Sequence, residues 1–188
     1  MIDRPSRLPG EVVGARVVLR RWTTADVPEL SAAVTRNIEH LRPWMPWIAH
    51  EPVEDKDRAA LIEGWERSWL EGGDTVFGVF LDGRPIGGTG LHRRRGPHGL
   101  EIGYWIDKDH ANQGIATEVA RLLTSAAQAV PGVTFVEIHH DKANVASSRV
   151  PQKLGYTFVA ETHDEVTSPG EVGIDCGWRM EAADWEAE

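Results

Sequence analysis

Two strand-like runs, Thr75 to Leu81 and Arg84 to Leu91, are separated by Asp82-Gly83, and this dipeptide limits the fold more than any other feature of the chain. Both residues tolerate positive φ, so they close a two-residue hairpin and the runs pair antiparallel. A loop, Arg93-Arg-Arg-Gly-Pro-His-Gly99, leads to a third run from Leu100 to Asp107. A long amphipathic helix follows from about Gln113 to Val130, with Ile115, Val119, Leu122, Leu123, Ala126 and Ala127 on one side.

Upstream, Arg16 to Arg20 alternates after a Gly-rich lead and reads as a first strand, and Thr23-Thr-Ala-Asp26 has the spacing of a capping box opening a helix. Pro43 and Pro46 make Leu41 to Trp47 a stiff aromatic loop, because each removes a backbone donor and restricts its predecessor. A helix is predicted from Glu54 to Glu71, stopped by Gly72-Gly73. Downstream, Val133 to His140 is a strand, about Asn144 to Leu154 a helix ending at Gly155, and Tyr156 to Thr162 and Val172 to Met180 are closing strands. Without repeats or a low-complexity linker, the expectation is one α/β (α+β) domain over residues 1–188. It has a mixed sheet, helices on its faces, and short flexible tails at about 1–10 and 182–188.

Composition removes several function classes. The sum of 20 Lys and Arg against 29 Asp and Glu leaves −9, a field that repels nucleic acid and attracts an amine-bearing partner. No apolar run is long enough for a membrane span, since Pro131 and Gly132 interrupt the best candidate. The lone Cys176 cannot form an internal bridge, and the Met-Ile-Asp-Arg-Pro start lacks a secretory signal's apolar stretch, so the expected compartment is cytoplasmic.

The chemistry-bearing stretch is Tyr104 to Thr117, where a strand passes through a polar loop into a helix whose first turn holds Gly114 and Ala116. The first N–H groups of a helix have no internal acceptor and sit at the positive dipole end, so the arrangement suits a diphosphate. Asn112 and Gln113 can add side-chain donors. A plain strand-loop-helix connection would also use a Gly here. The glycine spacing of a nucleoside triphosphatase or a dinucleotide oxidoreductase is missing.

His110-Ala-Asn-Gln-Gly-Ile-Ala-Thr-Glu118 resembles the acetyl-CoA pyrophosphate loop of the GNAT N-acetyltransferase superfamily, Gln/Arg-x-x-Gly-x-Gly/Ala, with Gly114 and Ala116 at the small positions and Ala111 at the leading one. Asn144 to Tyr156 resembles the family's Asn-x-x-Ser helix ending in Lys-Leu-Gly-Phe. Gly90-Leu-His92, Glu101 to Trp105 and the Leu41 to Trp47 loop resemble the branch that contains the ribosomal-protein N-terminal acetyltransferases. The resemblance covers essentially the whole chain. It implies a seven-stranded mixed sheet whose parallel central strands, Leu100 to Asp107 and Val133 to His140, splay apart to admit the thioester arm. It further implies acetyl-CoA held by Gln113, Gly114, Ile115, Ala116 and Thr117, by the backbone of Trp105 and Ile106, and by Asn144 and Ser147. Homodimers are common among similar proteins.

Acetyl transfer to an amine needs a base for the ammonium proton and a proton source for the departing thiolate. Glu101 is the leading base, a strand carboxylate on the face of Gly103 and Trp105, and it matches the position where several such enzymes carry their base; a half-exposed carboxylate with a cross-strand partner is the alternative. His92 and His140 are reserves. Many family members protonate the thiolate with a tyrosine seven residues after the Asn; here that position is Pro151, so Ser147 takes the role, with Tyr104 and Tyr156 behind it. Trp44 and Trp47, with Tyr104, are the expected acceptor-binding residues, while Trp65 and Trp69 suit the core. His139-His140-Asp141 is not a metal site, because consecutive strand residues face opposite ways. An acyl-CoA-binding module without catalysis, and an N-acyltransferase for longer acyl chains, remain open on sequence alone, as does the choice among a protein N-terminus, a small metabolite and an antibiotic as acceptor.

Overall fold

In a computed structural model of the protein, which describes residues 7–186, the strands form one mixed sheet of eight in the order β1-β2-β3-β4-β5-β6-β8-β7. They are β1 (Glu11–Val13), β2 (Val18–Arg21), β3 (Thr75–Leu81), β4 (Arg84–His92), β5 (Gly99–Ile106), β6 (Phe135–Asp141), β7 (Thr157–His163) and β8 (Ile174–Glu181). The eighth strand beyond the expected seven is β1. Its three residues, between Gly10 and Gly14, are too few to show alternation, and only pairing with β2 (Glu11↔Arg20) makes them a strand.

Helices cover both faces. On one, α1 (Val27–Leu41) and α2 (Asp55–Leu70) pack Leu30, Val34 and Ile62 against Trp22 and Phe80. On the other, α3 (Ile115–Gln128) and α4 (Val145–Lys153) bury Val119, Leu123 and Val150 against Leu100, Ile102 and Ile138. The parts of the expected loose ends that the structure describes are docked: Leu8 is buried, and the Trp185 indole donates to Ser125 Oγ at 3.0 Å. Residues 1–6 and 187–188 lie outside the described range. Trp69 is not a core residue; its ring lies between the guanidinium groups of Arg7 and Arg21.

Asp107, buried at the exit of β5, receives Arg36 Nε of α1 at 2.6 Å, and Asn37 Oδ1 receives the Lys108 amide at 2.9 Å. These contacts fix the path from β5 to α3. Thr23-Thr-Ala-Asp26 does form a capping box, but around a 3₁₀ turn that precedes α1. The Asp26 carboxylate receives Arg20 at 2.8 and 2.9 Å and the Thr23 amide at 2.8 Å.

The hydrogen bonds from Arg20, opposed by desolvation and assisted by Thr23, hold the Asp26 carboxyl down at about 2, below its ordinary 3.8. A carboxyl lowered on folding stabilises the protein above the unfolded value, and that stabilisation is lost as the pH falls through the folded one. Asp26→Asn is therefore expected to cost roughly 1–2 kcal/mol at neutral pH. Urea denaturation should show this difference from the wild type closing as the pH falls from about 4 to about 2.

Candidate active site

The parallel ladder between β5 and β6 runs only from Gly99↔Phe135 to Ile102↔Ile138. Beyond it β5 continues beside β4 as far as Ile106, while β6 continues beside β8 as far as Asp141, so the two central strands part. At this split lies a cavity of about 920 Å³, bordered by Tyr104, Asn144 and Ser147 on the α4 side and by Trp44, Trp47, Trp105, Glu101 and His92 on the α1/α2 side.

Which backbone groups face the split follows from the β4–β5 register. The Asp107 amide donates to Ile86 O, and Thr89 Oγ1 donates to Gly103 O at 2.7 Å, so the odd-numbered residues of this segment direct their polar groups at β4. Tyr104 and Ile106 direct theirs at the open edge. The expectation that Trp105 offers backbone groups to the split is thus corrected: strand alternation turns its N–H and C=O to β4, and Tyr104 joins Ile106 at the edge.

α3 opens at Gly114, which has φ +78° and no Cβ, and the first amides of the helix, Ile115, Ala116 and Thr117, have no carbonyl one turn back. The Ile115 side chain is buried, so only its backbone faces outward. Arg16, from the β1–β2 turn, stands beside the cradle: Nη1 donates to Gln113 O at 3.0 Å and Nε to Glu118 Oε2 at 2.6 Å. It neutralises the one acidic group in the first turn of α3. Gln113 Nε2 turns back to Asp109 O at 2.9 Å, which takes one of its two amide hydrogens and leaves the other. Asn112 is exposed in the loop with φ 59°. The first-turn amides, Gln113 and Arg16 are the groups here that could hold a diphosphate.

Asn144 caps α4, its Oδ1 accepting the Ser147 amide at 3.1 Å, which leaves its amide nitrogen as the donor for a ligand. Tyr104 lies 3.0 Å from Ser147 Oγ and 3.3 Å from Ser147 O. That carbonyl is available because its helical partner one turn on would be Pro151, which has no N–H. Tyr104 therefore stands with Ser147 and not, as the acceptor-binding role required, with the tryptophans. Desolvation, opposed by the Ser147 hydrogen bond, pushes its phenol up to about 12.

On the α1/α2 face, Glu101 is nearly buried and held: Arg95 Nε donates to its Oε2 at 2.6 Å, and Arg94 Nη1 lies 3.5 Å from Oε1. Opposite it on β4, His92 shares Nδ1 with Asp74 Oδ2 at 2.8 Å. The imidazole lies across Gly90 and Gly103; a methyl group on Gly90 would stand 2.7 Å from Nε2. Asp74 also accepts the Arg93 amide at 2.8 Å, and the hydrogen bonds from His92 and Arg93 outweigh desolvation to lower its pKa. His140 is occupied at both nitrogens, by Asp141 O at 2.8 Å and by the Trp178 indole N–H at 3.0 Å. His139 lies between Asp175 and Glu137, at 2.7 and 3.0 Å; the two carboxylates overcome desolvation and raise its pKa. Trp47 and Trp105 meet with ring centroids 6.3 Å apart, and Trp65 both borders the cavity and packs on the core. Of these groups, Asp74 escaped the sequence reading, Arg16 was read only as the start of a strand and His139 only within a rejected metal motif. Among the described residues no cluster of three or more His, Cys, Asp or Glu could hold a metal, and no helix is long and apolar enough to cross a membrane.

A helix N-terminus aimed along a split between parallel strands is the architecture of an acyl-CoA-dependent transferase. The chain belongs to the GNAT family of N-acetyltransferases, with residues 16–157 matching the Acetyltransferase (GNAT) domain. YdaF of Bacillus subtilis (strain 168), provisionally named a ribosomal N-acetyltransferase, is 24% identical over 177 residues, 94% of this chain and 97% of its own. The structure of RimL, a ribosomal L7/L12 alpha-N-protein acetyltransferase solved with coenzyme A, has a TM-score of 0.81 at 17% identity, covering 94% of this chain and 98% of that one. The microcin C7 self-immunity acetyltransferase MccE, solved with acetyl-CoA and AMP, also has a TM-score of 0.81, at 15% identity, covering 89% and 93%.

The chain has only two tyrosines, and both phenols are displaced upward by burial, for Tyr156 against the opposing hydrogen bond with Thr124. Ultraviolet titration of the folded protein is expected to show no tyrosinate at about pH 10, where free tyrosine is half-ionised. The urea-unfolded chain should show both at that pH.

Proposed function

We propose that the protein transfers the acetyl group of acetyl-CoA to a primary amine, the α-amine of a protein N-terminus being the first candidate, by direct attack within a ternary complex. The observation that carries this reading is the coincidence of three features: the free amides that follow Gly114 at the start of α3, the unpaired edge at Tyr104 and Ile106, and a cavity at the split lined from both faces of the sheet. The first holds the diphosphate, the second pairs with the amides of the pantetheine arm, and the third receives the acceptor. Ala116 and Thr117 extend the cradle, and Asn144 reaches the arm from α4.

Acceptor chemistry follows from the walls. Trp44 and Trp47 give the cavity flat apolar sides, while the exposed carboxylates of Asp57, Asp164 and Glu165 on its border favour an ammonium group. A net charge of −9 adds a long-range field of the same sign. Relatives named for ribosomal-protein N-termini point to the same acceptor class.

In the reaction, the amine nitrogen bonds to the thioester carbonyl carbon, the carbon–sulfur bond breaks, and the sulfur takes a proton. Ser147 Oγ, 3.0 Å from the Tyr104 hydroxyl, gives a hydrogen bond to the sulfur when the phenol proton is turned to Oγ rather than to the Ser147 carbonyl. A phenol held at about 12 does not surrender its proton to a thiolate whose conjugate acid lies near 8.5, so Tyr104 orients Ser147 and stays protonated.

Mixing the protein with acetyl-CoA and a panel of N-terminal peptides, polyamines and amino sugars, with free thiol as the readout, tests the reading. Steady thiol release with an N-terminal peptide is expected; tight binding of acetyl-CoA without turnover on any amine would overturn it. Gly114→Val places a branched side chain at positive φ over the helix amides. It is expected to raise KM for acetyl-CoA about tenfold or more, equivalent to ~1.4 kcal/mol, with a smaller effect on kcat.

A further inference from the structure

We propose that His92 is the general base and that Asp74 is its positioning residue, so that Nε2 of His92 takes the ammonium proton of the acceptor. The proposal rests on the N-acetyltransferase reading above and assigns its proton-accepting atom.

Three strand-borne imidazoles border the cavity, and their hydrogen bonds separate them. His140 uses Nε2 as acceptor for the Trp178 indole and donates from Nδ1 to a carbonyl, so no lone pair remains. His139 donates from both nitrogens to carboxylates, which is the pattern of an imidazolium. In His92, Nδ1–H is given to Asp74, so that Nε2 is the nitrogen that bears the lone pair of the neutral ring. Among the described residues Nε2 makes no hydrogen bond, and the ring borders the cavity over Gly90 and Gly103, where a Cβ would stand 2.7 and 3.6 Å from Nε2.

Glu101, the carboxylate expected in this role, is on the same face but already engaged. Proton uptake on Oε2 would displace Arg95, and that guanidinium is itself tied to Glu137 at 3.3 Å. Glu101 is better suited to keeping Arg94 and Arg95 folded against the sheet, where they bound the cavity beside His92.

The Asp74–His92 pair depends on an irregularity of the hairpin. A register shift between Val79 and Phe80 moves the β3–β4 pairing by one residue, so that Thr75 faces Leu91 and Asp74, the next residue out, comes level with His92. A regular two-residue hairpin would have put Gly73 there.

The proton balance is simple. His92 takes the first proton from the ammonium ion and passes it to solvent; the second, released when the nitrogen bonds to carbon, goes to the departing sulfur. The charged groups facing His92 are Asp74 from the start of β3, Glu101 from β5, Arg94 and Arg95 from the β4–β5 loop, and His139 from β6.

The test is the pH profile of kcat/KM for the best N-terminal peptide. His92→Gln is expected to reduce kcat by about a hundredfold and to abolish the acidic limb, with acetyl-CoA affinity by calorimetry unchanged. Asp74→Asn should lower kcat about tenfold while leaving both KM values near wild type; a merely structural role would move KM and thermal stability instead. Added imidazole should restore part of the activity of His92→Ala, which guards against a folding defect in a single variant. A His92→Gln enzyme within twofold of wild type, or an acidic limb that disappears in Glu101→Gln and persists in His92→Gln, would overturn the proposal. Wild-type protein that binds no acetyl-CoA, or binds it and turns over no amine, would instead overturn the acetyltransferase reading on which the proposal stands.

Discussion

The structure depends on where one ladder of hydrogen bonds stops. β5 and β6 pair over four residues and then part, and each is kept in the sheet by its other neighbour, β4 or β8. Had the parallel ladder run on, the backbone groups of Tyr104 and Ile106 would be satisfied within the sheet and the cavity would not exist. An edge inside a sheet is costly because backbone donors and acceptors demand partners. Here the cost creates binding capacity, since an amide-bearing arm can supply the missing strand. The helix that covers the split follows the same logic: Pro151 in α4 frees the Ser147 carbonyl, and Tyr104 from the open stretch of β5 occupies it.

The two faces of the sheet divide the chemistry. The α3/α4 face carries the dipole, Arg16 and the Tyr104–Ser147 pair, groups that suit phosphate, amide and sulfur. The α1/α2 face carries aromatic walls and carboxylates, which suit an amine. The split joins them, and one cavity is lined from both faces. Histidine shows how far surroundings decide function on such a surface. His92, His139 and His140 have the same side chain and border the same cavity, yet one donates twice, one is saturated as a neutral ring, and one keeps a lone pair.

Much of the element order was legible because it rests on short-range physics. Asp82-Gly83 closes a hairpin wherever it stands between strand-forming runs, and the apolar stripe from Ile115 to Ala127 is helical by its spacing alone. Several residues named from the sequence do come together: Trp44, Trp47, Asn144 and Ser147 border one cavity, and Gly114 opens α3. Details that differ share a cause. Gln113 spends one amide hydrogen on Asp109 O, Trp105 spends its backbone on β4, and Trp69 lies against two arginines rather than in the core; each outcome depends on a partner supplied by another segment or by the loop's final path. β1 was missed because three residues contain too little pattern.

What the amino-acid sequence determined by itself was most of the elements, the glycine-led start of α3 and the residue types suited to acyl transfer, since propensity, periodicity and capping act over a few residues. Which atoms of those residues meet was decided only in three dimensions. The one-residue shift that brings Asp74 level with His92, the closure of Arg95 on Glu101 and the parting of β5 from β6 all arise from pairings between strands distant in the chain. Their register is set by packing on both faces of the sheet, and no local stretch of the sequence encodes it.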